Sequence, residues 1–140
     1  MNSKAEPVVA GAGSSKSVIL VVEDEPILRA LSVAVVEVAD LEAVEAGNAD
    51  EAIQILESRA DIRVVFTDVR MPGSMDGIIL ARTIRRRWPH VRLILTSGED
   101  DLGTRLIPER ARFFTKPYST NQVIESLRQM AGGAGPDVRT

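Results

Sequence analysis

A chain of 140 residues with no cysteine and a net charge of −3 is long enough for one domain with its own core, and it excludes a disulfide framework, a thiolate site and a general nucleic-acid binder. Apolar residues make up 44% of it, yet no run approaches membrane-spanning length, so no membrane partner is expected. The first sixteen residues lack the long apolar stretch of a secretory signal, which points to a cytoplasmic protein.

In chain order, residues 1–16 are rich in Gly, Ala and Ser and read as a flexible leader. Gly11 to Ser17 has a faint phosphate-loop look, but Ser15 stands where a glycine is needed and the segment precedes the first strand. Val18–Val22 reads as a strand ending in Glu23-Asp24. Pro26 suits a first helical turn, with Leu28, Leu31, Val35 and Val38 as the apolar stripe behind it. A weak second strand is expected near Ala43–Ala46, and Asn48-Ala49-Asp50-Glu51 resembles a capping box opening a helix that turns Ala52, Ile53, Ile55 and Leu56 inward.

Ile62–Thr67 reads as a third strand, running into Asp68 and then a Pro/Gly-rich loop. Asp76-Gly77 is expected to form the turn into a helix that Pro89 stops near Trp88. Val91–Thr96 and Ala111–Phe114 are the fourth and fifth strands, while Glu99–Arg110, with Gly103 and Pro108, supports at most a short or irregular helix. Ser119-Thr120-Asn121-Gln122 caps a last helix with Val123, Ile124, Leu127 and Met130 apolar, and residues 132–140 read as a flexible tail after a single domain over 17–131. Arg82, Arg85, Arg86 and Arg87 read as a solvated helix face.

Strands alternating with helices imply an α/β protein with a doubly wound parallel sheet, whose right-handed crossovers bring every strand's carboxyl end to one rim. That rim is where such sheets hold their ligands. It receives Glu23 and Asp24 from the first strand, Asp68 from the third, Thr96-Ser97-Gly98 from the fourth, and Thr115-Lys116-Pro117-Tyr118 after the fifth. Three carboxylates in one place repel one another unless a hard cation such as Mg²⁺ sits among them. The single histidine, His90, lies at the opposite end of the sheet.

Four stretches together resemble the receiver domain of two-component response regulators: Val-Ile-Leu-Val-Val-Glu-Asp-Glu-Pro, Phe-Thr-Asp-Val-Arg-Met-Pro-Gly-Ser-Met-Asp-Gly, Leu-Thr-Ser-Gly and Phe-Phe-Thr-Lys-Pro-Tyr. The resemblance implies a flavodoxin-like sheet of order 2-1-3-4-5. It makes Asp68 the phosphoacceptor, Glu23 and Asp24 the acidic pair holding Mg²⁺, and the main-chain carbonyl of Arg70 a further ligand. Ser97 matches the hydroxyl that binds the phosphoryl oxygens, Lys116 the lysine paired with the acyl phosphate, and Phe113 the aromatic switch.

The sequence departs from the family pattern in having Glu-Asp for the acidic pair, one additional loop residue (Ser74), and a short stretch between Ser97 and Lys116. The function implied is a phosphoacceptor that signals through protein contacts without a covalent output domain, not a turnover enzyme although slow self-dephosphorylation is expected. Its partners would be a sensor histidine kinase and either a histidine phosphotransfer protein or an effector; a homodimer across the last strand and helix stays open. The alternatives are a small Mg²⁺-dependent aspartyl-phosphate phosphohydrolase and a phosphorylation-independent scaffold. The first lacks the second acid its chemistry wants, because Arg70 stands there; intact Asp68, Lys116 and Asp24 argue against the second.

Overall fold

Two central strands set the architecture. All five residues of β1 (Val18–Val22) are buried, as are all of β3 (Ile62–Asp68) except Arg63, which is the burial expected of parallel strands covered on both faces. The computed structural model describes residues 16–71, 76–98 and 110–132. Around these strands run α1 (Pro26–Val38), β2 (Glu42–Ala46), α2 (Ala49–Ser58), α3 (Gly77–Arg87), β4 (Arg92–Ser97), β5 (Ala111–Thr115) and α4 (Thr120–Gly132). The five strands pair in parallel in the order β2-β1-β3-β4-β5, the flavodoxin-like order the resemblance implies. The expectations for the leader, for the loop with Ser74, for 99–109 and for most of the tail lie outside the described residues.

Alternate residues of each strand feed two cores. Leu20, Val65 and Leu95 pack under α2 and α3 with Ala52, Leu56, Ile78, Leu80 and Ile84. Ile19, Val21, Phe66 and Ile94 pack under α4 and part of α1 with Val123, Leu127, Met130 and Val36. The edge strands β2 and β5 are only partly buried, which is why their sequence signal is weaker.

Helix termini follow their capping chemistry. The Asn48 side chain accepts from the Glu51 N–H at 2.8 Å, Asp76 accepts from Ile78 and Ile79 N–H groups at 3.1 Å, and Ser119 accepts from Gln122 at 3.3 Å. Replacing Asn48 by Ala should cost about 1 kcal/mol, a fall of several degrees in Tm by calorimetry, with no effect at the carboxyl rim. At the other end of α3, Arg85 donates to the carbonyls of Pro89 and Val91, and Arg87 pairs with Glu57 and stacks on Trp88.

The stripe expected on α1 is the part that fails. Leu28, Leu31 and Val38 are 42%, 59% and 64% exposed, Ile27 is 75% exposed, and Val35 is only half-buried. The inward face runs through Arg29, Ser32, Val33 and Val36 instead, the i, i+3, i+4, i+7 rows offset from the expected one. Two of those four positions are polar because each has a hydrogen-bonding task next to the rim, so hydrophobic periodicity reads the wrong face.

Candidate functional site

The register of the sheet brings the rim together. Asp68, the last residue of β3, lies opposite Thr96, and Ser97 lies opposite Thr115. Main-chain bonds beyond the ladders stitch these ends into one surface: Val69 N–H donates to Thr96 O at 2.8 Å, Lys116 N–H to Ser97 O at 2.7 Å, and Glu23 N–H to Ala46 O at 3.1 Å. The loop between β5 and α4 carries a cis peptide at Lys116-Pro117.

Asp68 is 8% exposed, and the Lys116 ammonium lies 3.2 Å from its Oδ1. Glu23 is 5% exposed, and its Oε2 accepts the Glu25 N–H at 3.1 Å. Burial is the main reason its carboxyl is pushed from 4.5 up to about 7, opposed by the Glu25 N–H and more weakly by Lys116, and reinforced by the negative charge of Asp68 and a hydrogen bond with Asp24. Glu23, Asp24, Asp68 and Lys116 therefore form one electrostatic group. Arg70 follows Val69 and is exposed.

Ser97 is fully buried, and its hydroxyl donates to Gly98 O at 2.9 Å. Phe113 is half-buried against the α2/α3 core, whereas Phe114 faces the other core, its ring 6.4 Å from that of Tyr118. His90 is exposed at the amino-terminal end of the strands beside Ile62 and Arg92, away from the rim.

Three further residues shape the rim. Gly77 lets α3 start against the Asp68 main chain: its N–H donates to Val69 O at 2.8 Å, and a Cβ there would meet Asp68 O at 2.1 Å. Tyr118 is half-buried, with its hydroxyl pushed up chiefly by burial and hydrogen-bonded to Ser32 of α1. Arg29 donates from Nη1 to the Glu23 carbonyl at 2.9 Å. The signal for Arg29 and Ser32 is positional: both stand on the helical row that includes Val33 and Val36.

The donor set at the rim is all oxygen, and burial, reinforced by the charge of Asp68, favours a proton on Glu23. Oxygen donors and unrelieved negative charge suit Mg²⁺, which takes one or two carboxylates and keeps several waters. Among the described residues, no group of three acids or histidines forms a ready-made metal cage.

Fold and rim together define a doubly wound α/β protein with an acidic ligand edge closed by one lysine. The chain belongs to the response regulator receiver domain family, whose pattern it matches over residues 19–128. It is similar to the sensor kinase CckA of Brucella abortus (32% identity, 84% of this chain and 13% of that protein) and to the transcriptional regulatory protein AruR of Pseudomonas aeruginosa (34% identity, 84% and 53%). The chain thus spans about half or less of the length of these two relatives. Among solved structures it resembles a receiver protein from Sinorhizobium medicae (TM-score 0.75, 25% identity, 86% of this chain and 98% of that one). The receiver domain of the hybrid histidine kinase CckA is also similar (TM-score 0.65, 26% identity, 81% and 98%). Receiver domains are phosphoacceptors of two-component signalling and generally bind Mg²⁺ at the phosphorylation site. No helix among the described residues is long and apolar enough to cross a membrane.

Proposed function

We propose that this protein accepts a phosphoryl group on Asp68 from the phosphohistidine of a sensor kinase or phosphotransfer protein, and signals by protein contact rather than by catalytic turnover. The observation that carries this reading is the Asp68–Lys116 pair at 3.2 Å inside the acidic rim. An Asp68 carboxylate oxygen attacks phosphorus in line. The P–N bond of the donor imidazole breaks, and its electron pair returns to the ring nitrogen, which takes a proton from water. Lys116, paired with Asp68 beforehand, moves its charge to the incoming phosphoryl oxygens, where positioning and charge neutralisation lower the barrier most.

Glu23, Asp24, Asp68 and the Arg70 carbonyl would hold Mg²⁺, which supplies further neutralisation of the phosphoryl oxygens. Ser97 would donate its hydroxyl to one of those oxygens in place of Gly98 O, and the movement would reach Phe113 on the neighbouring strand. Exposed Ile27, Leu28 and Leu31 on α1, which begins two residues beyond Asp24, give apolar surface for a helical partner next to the acceptor.

Incubation with acetyl phosphate and Mg²⁺, followed by intact mass and a phosphate-affinity gel, tests the reading. A single Mg²⁺-dependent adduct is expected, absent from Asp68→Asn. An adduct that persists in that variant, or none in the wild type despite Mg²⁺ binding, rejects it.

A further inference from the structure

We infer that Arg29 is a positioning residue for the Glu23-Asp24 turn, and through that turn for Mg²⁺ affinity; this rests on the reading of Mg²⁺ at the rim. The Arg29 side chain is 24% exposed and joins three elements with one guanidinium. Its own helix supplies the stem, Nη1 donates to the Glu23 carbonyl at 2.9 Å, and Nε donates to Glu45 Oε1 on β2 at 3.1 Å. Gly47 leaves room for this arrangement, since a Cβ there would lie 3.3 Å from Nη1.

The Glu23 carbonyl belongs to the peptide plane that leads into Asp24. Holding that plane fixes ψ of Glu23 and φ of Asp24, and so the directions of both acidic side chains. The planar fork reaches two acceptors on different elements, a geometry lysine cannot reproduce. Partners that orient metal ligands from behind typically govern affinity by 10–100-fold.

The sign of the effect separates this role from two simpler ones. If Arg29 acted only through its charge, removing it would tighten Mg²⁺ binding, because a cation beside carboxylates opposes a second cation. If it merely held the fold, Mg²⁺ affinity would fall only as far as stability did. Positioning predicts weaker Mg²⁺ binding in a protein that remains stable.

Calorimetric titration of Mg²⁺ into the full chain, with Tm measured in EDTA, provides the test. Arg29→Met and Arg29→Lys should each raise the Mg²⁺ Kd about tenfold, while Tm in EDTA moves no more than in Arg87→Ala, which removes an ion pair far from the rim. Glu45→Gln, which loosens the anchor but leaves the Nη1 bond, should shift the Kd in the same direction by less. Unchanged or tighter binding in Arg29→Met, or full rescue by lysine, overturns the inference alone. A wild-type protein that takes up no Mg²⁺ overturns the proposed function first and this inference with it.

Discussion

Gly77→Ala should lower Tm by about 10 °C and weaken the rim, although alanine is the better helix former. Two effects of opposite sign meet at this position. Helix propensity favours alanine over glycine by about 1 kcal/mol. Against it, the new Cβ would sit 2.1 Å from Asp68 O, 2.7 Å from Val69 Cα and 2.9 Å from the Asp68 carbonyl carbon.

All three atoms are backbone at the end of β3, held by the Val69–Thr96 and Gly77–Val69 bonds, so no side-chain rotation relieves the clash. Relief requires the first turn of α3 to move by more than an ångström. Overpacking of this kind costs about 3 kcal/mol, and the net loss of about 2 kcal/mol corresponds to about 10 °C for a domain of this size. Because the atoms that must move include the main chain of Asp68, phosphorylation by acetyl phosphate should slow as well. Gly132→Ala is the natural comparison: a Cβ there meets nothing within 4 Å, and the substitution should be neutral or slightly stabilising. A Gly77→Ala protein as stable as the wild type would mean that α3 docks less rigidly on β3 than these distances imply.

The contrast between these two glycines bears on what the sequence reveals. β1, β3 and β4 are legible because strands buried on both faces read as unbroken apolar runs, and the rim residues are legible because they end those runs. Asp68, Glu23, Asp24, Ser97 and Lys116 therefore announce themselves by position as well as by motif. Gly77 is readable as a turn residue, but its close approach to Asp68 is a tertiary fact with no trace in local pattern. α1 is misread because Arg29 and Ser32 occupy inward positions while Ile27, Leu28 and Leu31 face out. On this helix apolar periodicity reports an exposed face, and the polar residues face the rim. Tyr118 is placed at the rim by its motif, but its hydroxyl bond to Ser32, which links two segments far apart in the chain, leaves no trace in local pattern.

The second large effect is a pH dependence of Mg²⁺ binding, and its sign follows from Glu23. Burial, with the charge of Asp68, pushes its carboxyl from 4.5 to about 7. Between those values the folded, metal-free protein keeps a proton that the unfolded chain has released. The stability tied to that proton is fully present below about pH 4.5 and is lost as pH rises through about 7, a total of order 3 kcal/mol. In EDTA, Tm should therefore fall as pH is raised across neutrality. Mg²⁺ at the proposed site should cancel this trend, because it is held by the ionised acids and must displace the proton below pH 7. At about pH 6 the apparent Kd should be roughly tenfold weaker than at about pH 8, and at a fixed excess of Mg²⁺ the stabilisation should be smaller by about 1.4 kcal/mol. Glu23→Gln keeps the volume but has nothing to titrate. It should bind Mg²⁺ more weakly at about pH 8 and flatten both profiles, whereas a wild-type Kd that is constant over this range would show that Glu23 is already ionised in the metal-free protein.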